Sequence, residues 1–238
     1  MLGQNDPMAR ALVIHHDANS SVGLLGEILR AEGFDLDEHF VCTELDSPIA
    51  TGPMPGLQGI DLVVPLGSRW SVYDRESIGG WVDDELDLLR AADDLGTPVL
   101  GICFGGQMLA AAHGGKVLPA DQFEIGWFDV GAHHAGGLES GPWFQWHLDR
   151  FEVPARATEL ARNHVGAQAF RLRRNLGLQF HPEVDRSVLD EWFITDRDHV
   201  IECGIDPDAL LARTDANVTG SRIRTRDLVR WFLAEIAP

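Results

Sequence analysis

The chain has 238 residues, a formal charge of −18 and a hydrophobic fraction of 45%. Such a length suits one large α/β domain better than two small ones, and the apolar fraction supports a sizeable core and excludes a disordered chain. The acidic surplus reads as a solvated, self-repelling surface and argues against a nucleic-acid partner.

No run of about 20 apolar residues occurs, so no membrane span is expected. Three widely spaced cysteines, Cys42, Cys103 and Cys203, do not make a disulfide framework and suit a reducing cytoplasm. The segment Met1–Pro7 lacks the basic and apolar regions of a signal peptide. Residues 1–9 are expected to form a flexible lead into a single domain spanning 10–238.

In chain order, Ala11–His15 reads as a buried strand, followed by a helix over Val22–Ala31 that Gly33 stops. Asp61–Leu66 reads as a second buried strand, ending in the loop Gly67-Ser68-Arg69-Trp70. Asp83–Asp94 has the pattern of an amphipathic helix with Leu86, Leu89 and Leu95 on one side. Its acidic run Asp83-Asp84-Glu85 is expected to be a solvated face. A further strand ends at Cys103, and Glu124–Val130, Ala167–Leu172 and Leu176–Phe180 follow as shorter strands. From Ser187 onward the chain reads as mainly helical. Strands alternating with helices point to an α/β fold: a mostly parallel sheet with helices on both faces and a smaller antiparallel β extension.

The sharpest signal is Gly101-Ile102-Cys103-Phe104-Gly105, where an apolar strand runs into a helix-forming segment. This is the pattern of a nucleophile elbow. Gly101 and Gly105 suit a turn that brings the strand and helix backbones close together. The helix N-terminus beside Cys103 favours a thiolate. A thiol nucleophile needs a base, and the base needs an orienting partner. His181-Pro182-Glu183 follows a strand directly, and Pro182 keeps His181 extended. Both motifs would stand at the carboxyl edge of the sheet, where α/β proteins place their ligands. Cys103, His181 and Glu183 are therefore the candidate triad.

These two motifs, with Gln107, Glu124-Ile125-Gly126-Trp127, Trp146-His147 and Gln168-Ala169-Phe170, resemble the class I, triad-type glutamine amidotransferases. The likeness is strongest to free-standing proteins related to the glutaminase domain of GMP synthase, and it runs over roughly residues 10–195. It implies a flavodoxin-like sheet and hydrolysis of the glutamine side-chain amide to glutamate and ammonia, through a γ-glutamyl thioester on Cys103. It also implies an oxyanion hole from the backbone N–H groups of Ser68 and Phe104. Gly67, Gln107, Trp146 and His147 are implied as substrate contacts, with Asp149 in the same wall.

Three positions depart from the family pattern: Ser68 replaces a second glycine, Gly106 a histidine and Leu148 a glycine. Leu148 leaves another γ-glutamyl amine or peptide open as the substrate. A non-catalytic binding module on the same fold is the third reading. No nucleotide-phosphate motif is present and no cofactor is expected. Family members normally pass ammonia to a synthase, and no synthase domain fits into this length, so the resemblance implies either docking on a separate synthase partner or action alone as a hydrolase. The pairs His15-His16 and His133-His134 have no donor set at ligand spacing, so no metal site is expected.

Overall fold

The computed structural model describes residues 8–133 and 137–238. The expected N-terminal lead (apart from residues 8 and 9) and His134 lie outside the described residues. The strands are β1 (Ala9–His15), β2 (Phe34–Phe40), β3 (Leu62–Pro65), β4 (Val99–Ile102), β5 (Lys116–Ala132), β6 (Gly141–Glu152), β7 (Thr158–Arg162), β8 (Ala167–Leu172) and β9 (Asn175–Leu178). They hydrogen-bond in the order β2-β1-β3-β4-β9-β8-β7-β5-β6. The five from β2 to β9 run parallel, and the remaining pairings are antiparallel.

The helices are α1 (Gly23–Ala31), α2 (Arg75–Ile78), α3 (Val82–Leu95), α4 (Phe104–Ala112), α5 (Arg186–Glu202) and α6 (Pro207–Trp231), which ends in a π-helical turn, Phe232–Ile236. Strand parity explains the layers, because successive side chains alternate between faces. Ala11 and Val13 of β1 pack with Leu25 and Leu29 of α1 and Leu228 and Phe232 at the end of α6. Leu12 and Ile14 pack on the other face with Leu86 and Leu89 of α3 and Met108 and Leu109 of α4. A third cluster seats α5 and the start of α6 against β5 and β6, through Phe144, Val188, Phe193 and Leu210. Helices thus cover both faces, as expected.

Three expectations need correction, and one strand was not expected. Leu95 does not share the buried stripe of α3. It is 70% exposed, because nine residues from Leu86 at about 100° each is half a turn away. Glu85 is fully buried rather than part of a solvated face. It lies three residues after Val82 and four before Leu89, on the apolar stripe itself. Strand β2 is polar (Phe-Asp-Leu-Asp-Glu-His-Phe), which an edge strand tolerates, and its pattern hid it. The strand over Leu176–Phe180 ends at Leu178, and the side chain of the glutamine that follows reaches the Cys103 sulfur.

Glycines let three backbones meet at the elbow. A Cβ at Gly105 would run into the Pro65 carbonyl, and one at Gly106 into the Leu178 carbonyl. A Cβ at Gly101 would sit 2.6 Å from the Gly105 carbonyl oxygen. The departure at Gly106 therefore matches its surroundings. Gly105→Ala is expected to lose about 1–3 kcal/mol in urea unfolding, whereas Leu95→Gln should stay within about 0.5 kcal/mol of the parent.

Candidate active site

The parallel pairing of β4 with β9 sets Gly101 beside Gly177 and Ile102 beside Leu178. The Cys103 N–H extends this ladder with a 2.9 Å bond to the Leu178 carbonyl. The chain then turns abruptly: Cys103 has φ +50° and ψ −105°, a strained conformation for a residue with a side chain. Strain of this kind persists only where the surroundings enforce it, and the three close glycine contacts do so. The turn starts α4 at Phe104, whose N–H belongs to the first turn and has no acceptor within the helix. The Cys103 Sγ lies 3.7 Å from Gln179 Nε2 and 3.8 Å from the Trp146 carbonyl oxygen.

His181 is fixed from several directions. Its N–H donates to the Phe144 carbonyl at 2.8 Å, a bridge that keeps it extended ahead of Pro182. Its ring meets Trp192 of α5 edge-on, centroids 5.3 Å apart. The backbone of Pro182 accepts from the Thr225 hydroxyl at 3.0 Å, and that of Glu183 from the Leu24 N–H at 2.9 Å. Helices α6 and α1 therefore clamp the segment.

His181 Nδ1 bonds Glu183 Oε1 at 2.6 Å, with both residues buried. Burial pushes the His181 pKa down, but the charges of Glu183 and Cys103 outweigh it, and the net result lies well above the ordinary histidine value. The Gly67 backbone lies against both groups: a Cβ there would stand 3.0 Å from His181 Cε1 and 3.9 Å from Cys103 Cβ.

A cleft opens over Cys103, walled by Ser68, Phe104, Gln107, Trp146, His147, Leu148 and Asp149. A second hollow reaches His181 and Glu183 from the other side of Trp146 and Ser68. The fold thus brings Cys103, His181, Gly67, Ser68, Phe104, Gln107, Trp146 and His147 to one place. Their states differ, however. Gln107 donates to the Asp149 carbonyl at 3.2 Å and to Gln179 Oε1 at 3.3 Å. His147 spans the Asp149 carbonyl (2.9 Å) and Glu124 (3.1 Å), so both of its ring nitrogens are engaged. Glu124 is desolvated, yet its bonds to His147 and Asn163 hold its carboxyl below the usual range. His147 is a braced wall residue. Asp149 is held by the Ser71 hydroxyl at 2.6 Å and the Tyr73 hydroxyl at 2.8 Å.

Sequence reasoning gave no role to Gln179, Trp192 or Arg69. Arg69 pairs with Asp46 at 2.6 Å and Asp196 at 3.4 Å over the cleft. Gln179 opens the motif Gln179–Glu183 that carries the family likeness, but the motif alone does not show its contact with Cys103. Trp192 and Arg69 needed the fold. Cys42 is buried, and desolvation pushes its thiol up to about 11, as an inert core cysteine requires. Among the described residues no helix is long and apolar enough to cross a membrane, and no three His, Cys, Asp or Glu side chains gather as metal donors.

A thiol on a strained elbow, beside a buried imidazole–carboxylate pair, is an arrangement able to attack an acyl carbon. Residues 71–198 match the model of the family described as glutamine amidotransferase class-I. The chain belongs to this family. It is 32% identical over 172 residues to the GMP synthase [glutamine-hydrolyzing] of Burkholderia mallei, covering 59% of this chain and 30% of that protein. The corresponding protein of Burkholderia vietnamiensis is 33% identical over 144 residues, covering 53% and 25%. The chain thus spans under a third of these curated relatives.

Among solved structures, a glutamine amidotransferase of Thermotoga maritima superposes with a TM-score of 0.85 at 28% identity, covering 97% of this chain and all of that one. A glutamine amido transferase of Methylobacillus flagellatus, at 22% identity and 95% coverage of both, gives 0.80 and supports the fold.

The raised His181 pKa has a consequence for stability. Its contribution is complete below the unfolded value of about 6.5 and is lost as pH rises through the folded-state pKa. Glu183→Gln removes the main stabilising charge. Thermal melts should show the largest gap between parent and variant just below about pH 6.5, narrowing toward alkaline pH.

Proposed function

We propose that this protein hydrolyses the side-chain amide of glutamine through a thioester on Cys103, with His181 and Glu183 completing the triad. The 2.6 Å His181–Glu183 bond at the foot of the elbow carries this reading. The reaction starts from a thiolate–imidazolium pair, which the helix N-terminus at Cys103 and the Glu183 carboxylate 2.6 Å from the His181 ring favour. The thiolate attacks the amide carbon, and the carbonyl oxygen becomes an oxyanion. The N–H groups of Phe104 and Ser68 stabilise it; a donor of this kind is worth about 10²–10³ in rate.

His181 then gives its proton to the amide nitrogen, the C–N bond breaks and ammonia leaves. The neutral His181 takes a proton from water, whose oxygen attacks the thioester carbon. The C–S bond breaks, glutamate departs, and thiolate and imidazolium are restored. Gly67, Gln107, Trp146 and His147 line the substrate, and the Asp149 carboxylate supplies a counter-charge for its α-ammonium group. No cofactor takes part.

The ammonia goes to a synthase partner in the cytoplasm. Two observations support the synthase partner: the matched relatives are much longer than this chain, and they are named as glutamine-hydrolysing synthases. A second reading takes a γ-glutamyl amine as the substrate. It draws on Leu148, which lines the cleft at 54% exposure where a smaller residue would leave more room.

Incubation with glutamine is expected to release glutamate and ammonia one to one. Cys103→Ala should lower the rate by roughly four orders of magnitude or more. Turnover of γ-glutamylmethylamide with glutamine inert would shift the assignment to the second reading. Failure of both substrates, with and without a copurified synthase, would refute hydrolysis altogether.

A further inference from the structure

The described fold contains a buried charged pair that the reaction scheme does not use. His16, just beyond β1, bonds Glu85 of α3 at 3.0 and 3.1 Å through Nε2, and both side chains are fully buried. Its other nitrogen, Nδ1, lies 3.1 Å from the Gly67 carbonyl oxygen. A carbonyl and a carboxylate are both acceptors, so the ring donates from both nitrogens and carries a positive charge. Its basicity follows: burial lowers the His16 pKa, but Glu85 and the Gly67 bond outweigh it and raise it overall. The same ring meets the Phe104 ring edge-on, centroids 4.7 Å apart.

We propose that His16, backed by Glu85, is the positioning residue of the oxyanion-binding peptide Gly67–Ser68. A trans peptide is planar, with its C=O and N–H on opposite edges. Holding the Gly67 carbonyl therefore aims the Ser68 N–H the other way. A charged donor on that carbonyl also polarises the amide, strengthening the N–H as a donor. The Ser20 hydroxyl adds a second bond to the Gly67 carbonyl at 3.2 Å.

On either side, the Leu66 N–H donates to Ile14 at 3.0 Å, and the Leu66 carbonyl accepts from Gly105 at 3.0 Å. The Ser68 hydroxyl accepts from the Trp70 N–H at 3.2 Å. Such a clamp accounts for a serine in place of the family's flexible second glycine. Oxyanion donors act by being fixed beforehand, so the device bears on the rate of acyl attack rather than on the reactivity of the thiol.

The inference rests on the acyl chemistry proposed above, and its test does not need glutamine to be the substrate. Acylation of Cys103 by p-nitrophenyl acetate passes through an oxyanion, whereas its alkylation by iodoacetamide does not. Both rates are read by mass on the Cys103 peptide. The double substitution His16→Leu with Glu85→Met exchanges the pair for apolar groups of similar size, which a fold tolerates better than one buried charge left alone.

The double variant should be acylated about 10–100-fold more slowly while its alkylation stays within about twofold, and Glu85→Gln should fall between it and the parent. If the wild type also turns over glutamine, kcat should fall with KM little changed. Equal losses in both reactions would make the pair a mere support of the elbow, and no loss in either would make it packing; each result overturns the proposal. A wild type that acylates from the ester but leaves glutamine intact would refute the glutamine assignment alone. A wild type that alkylates but is never acylated would overturn both.

Discussion

The in-register parallel pairing of β4 with β9 is the constraint on which the site depends. These strands are more than seventy residues apart in sequence, and their pairing joins the parallel half of the sheet to the antiparallel half. It brings the ends of both strands to one edge, so that Cys103 leaves one strand beside the chain that leads to His181. Gly101, Gly105 and Gly106 allow the helix that follows Cys103 to press against the backbones of β3 and β9. The strained turn at Cys103 is the outcome. A side chain at any of these glycines separates the strands or relaxes the turn, and the thiol loses its place.

Around that edge the described residues bury three imidazole–carboxylate pairs: His16–Glu85, His147–Glu124 and His181–Glu183. Isolated buried charges are costly, and the first two pairs have their remaining polar atoms bonded, whereas His181 Nε2 and Glu183 Oε2 have no bond partner among the described residues. Each pair grips a different part of the site. The first holds the loop after β3, the second braces the wall from β6, and the third sets an imidazole beside the elbow. Rigidity here comes from hydrogen bonds at specific atoms as well as from apolar packing. That suits a reaction whose barrier depends on donor placement.

Local motifs made much of this legible in the sequence. The elbow and His181-Pro182-Glu183 need only a strand before them and a fixed spacing, and both stand where expected. The α/β layers were readable because β1, β3 and β4 are short apolar runs. What stayed hidden depended on pairing or on helical phase. Strand β2 is too polar to read as a strand, and β6 and β7 find their partners through a long antiparallel excursion. Glu85 looked like surface because its acidic neighbours are, although its spacing from Val82 and Leu89 marked it as core. Leu95 looks like part of the buried stripe because it is a leucine, but its helical phase turns it to solvent. Trp192 reaches the hollow at His181 through helix α5, and Arg69 reaches it and the cleft from the loop after β3; no local pattern announces their partners.

The most direct measurement is rapid-quench intact-mass analysis of the wild type mixed with glutamine, followed by peptide mapping. The account predicts a transient gain of one γ-glutamyl group, confined to the peptide carrying Cys103 and discharged by water. A wild type that turns over glutamine without any such adduct on Cys103, or with the adduct on Cys42 or Cys203, would contradict it.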